Sequence, residues 1–319
     1  GSEMCIRDSR NTWEHKKWNI TDFPEFELAI TIDRPELYYD FLQKDWTRFC
    51  HDYWKNNFLE HHTLSQKRVT RIYIGNQFCH NLFPKKKLLF QVLEKALENN
   101  LAVTLAFSYI RNHLLEEIDE LLQELEVWCQ SREKEAGKDQ EEIIVNDWAM
   151  PILLQGKPHL KPVLGVLLNK RRKDVRLPYK HGIGNHVDSL AENNLNCGFY
   201  QDYLKNTFDI QRFEFESCGY KVTIPDGHHS LHLPFFQTNT SQYCTLYAVC
   251  RYGDRGKQKL PENCPRYCNK KVFLYPKHLK MVGRYNSLFG YDEKILWDEK
   301  QLQDYLEQGI DRIVVNVSL

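Results

Sequence analysis

The feature that most constrains this chain is a repeated alternation of short apolar runs with helix-patterned segments. The runs "FELAITI" (26–32), "VTRIYIG" (69–75), "LAVTLAF" (101–107), "EIIVND" (142–147), "PVLGVLL" (162–168), "RFEFE" (212–216), "YKVTI" (220–224) and "RIVVNV" (312–317) read as strands. Several are nearly continuous in apolar residues, as expected of strands covered by helices on both faces. Helical patterns fall between them at 86–100, 114–135, 198–208 and 299–309. In the first of these, Leu89, Val92, Leu93 and Ala96 recur at i, i+3, i+4 and i+7, which is one helix face. Gly309 reads as the stop of the last helix. Strand–helix units numbering about eight predict an α/β fold, a TIM-like (β/α) barrel whose ring is complete, incomplete or distorted. An open doubly wound sheet is the alternative. No GxGxxG or Walker-type loop follows any strand, which weakens a nucleotide-binding sheet.

Three regions are expected. Residues 1–9, "GSEMCIRDS", read as a cloning and adaptor remnant outside the fold. Residues 10–68 form the first strand with a helical elaboration, and 69–319 a barrel domain with a cysteine loop at 244–268. The segment 131–142 is a charged linker or frayed helix end, and the Gly- and Asn-rich 179–198 a long loop of the kind that often carries function. Formal net charge is zero, so no global field favours nucleic acid or a membrane surface. The basic runs 84–87 and 169–173 read as solvated loops. No run approaches the ~18 apolar residues of a membrane span, and no secretory signal is seen. A cytoplasmic location with reduced thiols follows as the expectation.

Nine cysteines lie beyond the first residues. Cys79 follows the end of a predicted strand, on the face of a barrel where sites form. Cys244, Cys250, Cys264 and Cys268 cluster in a late loop. One thiol from an early loop and three from a late one converge if both loops open on the same face, which is what a metal cluster needs. Four thiolates also suit zinc, although Cys264 and Cys268 are CxxxC and no second tight pair exists. Spacing alone leaves iron–sulfur, zinc and plain thiols open. Cys50, Cys129, Cys197 and Cys218 read as packing or surface thiols.

"TRIYIGNQFCHN" resembles the strand-then-"LGExxCSKR" segment of the U-32 peptidase family, closest to its iron–sulfur branch, which supports oxygen-independent ubiquinone hydroxylation. "SLHLPFFQTNTSQYC" is similar to that branch's "HLPLAxSARC", and "NCPRYC" to its second cysteine pair. "IIVNDWAM", "KPVLGVLLN" and "GRYNSLFGYD" are similar to family segments in the same order, over about residues 69–319. The resemblance implies a TIM-like barrel with a 4Fe–4S cluster on Cys79, Cys244, Cys264 and Cys268. The chain departs from the pattern in "HNLFP" after Cys79 and in an extra Cys250, an alternate ligand to Cys244. The implied activity is oxygen-independent hydroxylation of an aromatic ring, quinone precursor or nucleobase, or electron transfer to it, with a related protein as heterodimer partner. Small-molecule and RNA substrates both remain open. The alternatives are a zinc-stabilised scaffold and a true peptidase. For the last, no GxSxG, HExxH or Cys–His–Asn order is present.

Other candidates sit at predicted strand ends. Asn146 and Asp147 are site residues or a helix cap. Glu214 and Glu216 share one face of a strand; inward they form a buried acid pair with raised pKa, outward a solvated face, and Glu216 joins Asp147 and Tyr109 as a catalytic candidate. Tyr109 and Arg111 follow the third strand and suit an acidic or aromatic substrate. His80 either donates to a cluster sulfur or is a loop histidine. Arg171 and Arg172 hold an anion or form a basic loop. "DGHHSLH" (226–232) reads as a loop near the cysteines.

Overall fold

The computed structural model describes residues 23–136, 141–175, 191–257, 259–261 and 263–317. The expected remnant at 1–9 and residues 179–190 of the long loop lie outside the described residues.

Eight parallel strands build the core: β1 (Glu27–Ile32), β2 (Arg71–Gly75), β3 (Ala102–Ala106), β4 (Glu141–Val145), β5 (Leu160–Leu164), β6 (Glu214–Glu216), β7 (His229–Leu233) and a last strand, β12 (Ile310–Val315). Their order is β5–β4–β3–β2–β1–β12–β7–β6. A parallel bridge between Leu164 and Phe213, with the Leu164 amide donating to the Arg212 carbonyl at 3.0 Å, joins the two ends. The ring is a TIM-like barrel.

Helices cover it: α1 (Pro35–Gln43), α2 (Trp46–Asn56) and α3 (Thr63–Gln66) between β1 and β2, α4 (Lys86–Glu98), α5 (Leu115–Ala136), α6 (Ala149–Leu153), α7 (Gly198–Phe208), α8 (Thr245–Tyr252) and α9 (Glu299–Glu307). In α4, Leu89, Val92, Leu93 and Ala96 are fully buried, as their spacing requires. Asp45 starts α2 by accepting the Arg48 amide, and Asp298 starts α9 by accepting that of Gln301. Among the described residues no helix is long and apolar enough to cross a membrane.

One strand is not where its pattern placed it. "YKVTI" buries Val222 and Ile224 but joins no ladder. The seventh strand is His229–Leu233, inside the segment read as a histidine loop. Its two polar residues at 230 and 232 turn into the barrel, where polar partners meet them, so its sequence lacks the apolar run of its neighbours.

Between β7 and β12 the chain adds an antiparallel sheet in the order β8 (Phe235–Thr240), β11 (Ser287–Tyr291), β10 (Met281–Arg284), β9 (Phe273–Leu274). The late cysteines lie within this insertion.

Alternation splits the core in two. Leu28, Ile30, Ile72 and Ile74 face the helices, whereas Ala29, Tyr73, Ala106, Ile144, Val163 and Val314 pack separately along the barrel axis. Beside them runs a buried ionic ladder. Arg312 donates to both Glu142 oxygens at 2.6 and 3.0 Å and to Glu27 at 2.6 Å. Arg71 reaches Glu27 at 2.9 Å, and Thr104 reaches Glu142 at 2.7 Å. Above them Tyr73 donates to Glu214 at 3.0 Å, and His232 meets the other Glu214 oxygen at 2.5 Å.

Candidate functional site

The loop after β2 carries the first candidate ligand. Asn76 Oδ1 accepts the amides of Phe78 and Cys79 at 3.0 and 2.9 Å, an Asx-type turn that sets the Cys79 backbone. Asn76 had no place among the sequence candidates; a Gly-Asn pair closing a strand was its signal. On the insertion, Cys244 caps α8: its sulfur accepts the Tyr247 amide at 3.3 Å and donates to the Tyr285 carbonyl at 3.1 Å. Arg284 Nε holds the Cys268 carbonyl at 3.1 Å.

The two loops are neighbours in space. Cys79 has Cys268, Cys244 and Cys264 as electrostatic neighbours, and Cys268 has Cys244 and Cys264. Burial, with a smaller part from these neighbours, pushes the Cys79 and Cys268 thiols up to about 12 and Cys244 to about 11. Such thiols keep their protons at neutral pH unless a metal displaces them. Of the two alternatives for the second ligand, Cys244 is a neighbour of Cys79, Cys264 and Cys268, and Cys250 is a neighbour of Cys244. Among the described residues no three Cys, His, Asp or Glu side chains are gathered as they would be around one metal ion. The described cysteines are all free thiols. Cys50 and Cys129 are packed in α2 and α5, and burial drives both up to about 12.

Next to the thiols, at the C-terminal ends of the strands, lies a cavity of about 40 Å3. Its wall includes Asp33, Asn76, Glu216, His232, Tyr285 and Asn316. Glu216 is 2% exposed; its Oε2 lies 2.5 Å from Lys173 Nζ, and its Oε1 accepts the Gln237 amide at 2.7 Å. Glu214 lies deeper, on His232. The two acids therefore have separate partners. Burial favours the neutral form of Glu214, but the hydrogen bond and charge of His232 outweigh it and hold the carboxyl below its ordinary range. Burial pushes the Lys173 ammonium down, against the pull of Glu216. The basic run 169–173 is thus not a solvated loop: Lys173 is enclosed, and Arg171 donates to Cys218 Sγ at 3.2 Å and to the Glu216 carbonyl. Lys173 went unread in the sequence because nothing in a run of cations says which one turns inward.

Two further candidates stand elsewhere. Both Asp147 oxygens are occupied by backbone: Oδ1 takes the Ala149 and Met150 amides at 3.0 Å, and Oδ2 takes that of Ile110. Of the two roles open to it, the helix start is the one its contacts fill. Asp147→Ala is expected to cost about 1 kcal/mol of stability in denaturant titration, with ligand binding in the cavity unchanged. Asn146 likewise stitches strand ends, donating to the Phe107 carbonyl at 2.8 Å and accepting the Leu167 amide at 3.1 Å. Tyr109 is outside the cavity wall. Its hydroxyl donates to the Ser241 carbonyl and accepts from Asn286, both at 3.1 Å, so it ties the third strand's loop to the insertion.

His80 turns away from the cavity into a groove of about 910 Å3 beside the Cys79 loop, with Arg111, His113 and Arg266. Burial, then the charges of Arg111 and His113, push its imidazole down to about 4, so it is neutral at pH 7. Lys85 and Lys86 of the other basic run line the same groove. The histidines of 226–232 do not converge: His228 is on Asp311, His229 stacks on Phe213, and His232 is inside the barrel.

Comparison with protein-family models, with curated proteins and with solved structures finds no match for this chain.

Proposed function

We propose that this barrel is an iron–sulfur redox protein. Its four thiols Cys79, Cys244, Cys264 and Cys268 hold a 4Fe–4S cluster, and its cavity takes a small aromatic, quinone-like or nucleobase substrate for oxygen-independent hydroxylation. The observation that carries this reading is the meeting of one early and three late thiols beside a cavity at the catalytic end of a TIM-like barrel. A cluster fits this donor set, being all soft sulfur. When bound it supplies one-electron transfer. Zinc is the alternative occupant, since four thiolates suit it as well.

The chain's own residues provide the rest. Glu216 and His232 face the cavity and can take or return a proton there. Lys173 stands 2.5 Å from Glu216 and pairs with it. Asn76 fixes the Cys79 loop against the cavity wall. A second, related barrel as partner belongs to the same proposal.

The test is an absorption spectrum with iron, zinc and sulfide analysis on protein purified without oxygen. The expected result is a broad band near ~400 nm and about four irons per chain. Both should be lost in Cys264→Ser and Cys244→Ser and kept in Cys250→Ser. Colourless protein with about one zinc would replace the redox reading with a structural one. Neither metal, after reconstitution, would sink both.

A further inference from the structure

Tyr285 holds an unusual place in the fold. It is the first residue of the two-residue turn joining β10 to β11, where Arg284 pairs with Ser287. Its φ is +54°, a left-handed conformation that Gly, Asn or Asp adopts readily and a bulky ring does not. Strain of this sort persists only where the surroundings enforce it, and it concentrates at binding sites. The surroundings here do enforce it. The Asn286 amide nitrogen is fixed on the Ser241 carbonyl at 2.7 Å and on Tyr109, and the Tyr285 carbonyl receives the Cys244 thiol.

Tyr285 is on the cavity wall, its ring edge-on to Phe289. The residue is 2% exposed and lines the cavity, and its hydroxyl has no hydrogen-bond partner. On the same wall, Asp33 Oδ1 is buried and also unpartnered. The two are near enough for the Asp33 charge to bear on the Tyr285 hydroxyl, yet no hydrogen bond joins them. A buried polar atom left unsatisfied is unfavourable, and two on residues of one cavity wall point to a ligand that completes both. The missing group must accept from a phenol and donate to a carboxylate oxygen. A hydroxyl does both with a single atom.

We propose that Tyr285 and Asp33 grip a hydroxyl group of the ligand and so select hydroxyl-bearing molecules over their apolar isosteres. This rests on reading the cavity as the substrate site, and it adds the group by which the substrate is held. At about 40 Å3 the cavity takes the hydroxyl-bearing end of such a molecule, the remainder pointing out of the barrel.

The test is a ligand-observed NMR titration of the full chain with phenol and with toluene. Parent, Tyr285→Phe and Asp33→Asn proteins are compared, and thermal midpoints are recorded without ligand. Phenol should bind the parent about tenfold or more tightly than toluene. Tyr285→Phe should weaken phenol about tenfold, leave toluene unchanged, and not lower the midpoint, because the lost hydroxyl had no partner. Asp33→Asn should weaken phenol in the same way. Equal binding of phenol and toluene, no phenol binding, or phenol affinity unchanged in Tyr285→Phe would each overturn the proposal. Binding is read without turnover, so a protein lacking a cluster still answers the question. A failed phenol titration leaves the cysteine reading standing.

Discussion

Glu142→Ala is expected to lower the free energy of unfolding by about 3–5 kcal/mol, the cost of stripping one partner from a buried ion pair. Glu142 is the acid that Arg312 grips with two nitrogens, with Arg71 and Thr104 completing its shell. Arg312 is 2% exposed, so its charge cannot turn to water when the carboxylate is gone. The same residue makes a pH prediction. Burial favours the neutral acid, but the charges of Arg71 and Arg312, with hydrogen bonds from Arg312 and Thr104, outweigh it and bring Glu142 from 4.5 to about 2. A carboxyl depressed on folding stabilises the native state fully above its unfolded value. That stabilisation fades as pH falls from about 4.5 through about 2. It amounts to about 3 kcal/mol. Urea midpoints between neutral pH and pH 2 should show the loss in the parent and much less of it in Glu142→Ala. A flat profile in the parent would contradict the ladder.

Gly75→Ala is the second large effect, expected at about 3 kcal/mol or more of destabilisation. Gly75 closes β2 at φ +109°, where a side chain is strained whatever the space. Space is also missing: an added Cβ would lie 2.5 Å from the Ala106 carbonyl oxygen and 2.7 Å from the Phe83 ring. Neither neighbour can yield cheaply. Ala106 pairs with Gly75 in the barrel ladder, and Phe83 stacks on Phe107 at 4.3 Å. Whatever does move shifts Asn76 and the turn that sets Cys79. Chemical denaturation of Gly75→Ala should therefore show lower stability, and metal uptake at the thiols should weaken with it. Parent-like stability would mean that the strand end is looser than its contacts indicate.

Much of the fold was legible because a covered parallel strand and a helix face each write a local period into the sequence. Seven of the eight barrel strands and the face of α4 lie where those periods place them. The exception is instructive. "YKVTI" has the composition of a strand, yet the ring took His229–Leu233, whose inward side chains answer polar groups on other strands. The nearness of Cys79 to the late cysteines was also within reach, since a barrel carries the loops after its strands on one face.

The sequence by itself determined the strand–helix alternation and the two loops that bear the thiols, and made a barrel the first of two readings; the bridge from Leu164 to Phe213 decided it. The alternation and the loops follow from periodicity and connection rules that act over a few tens of residues. Only the tertiary structure decided which polar groups meet. Glu142 and Arg312 stand 170 positions apart, Tyr109 and Asn286 stand 177 apart, and no local pattern ties either pair. It alone turned Lys173 inward out of a basic run, put Tyr285 and Asp33 on the wall of one cavity, and gave Asp147 to a helix start. A charge or hydroxyl reads the same in sequence whether it meets water or a partner; burial, set by the whole ring, decides which.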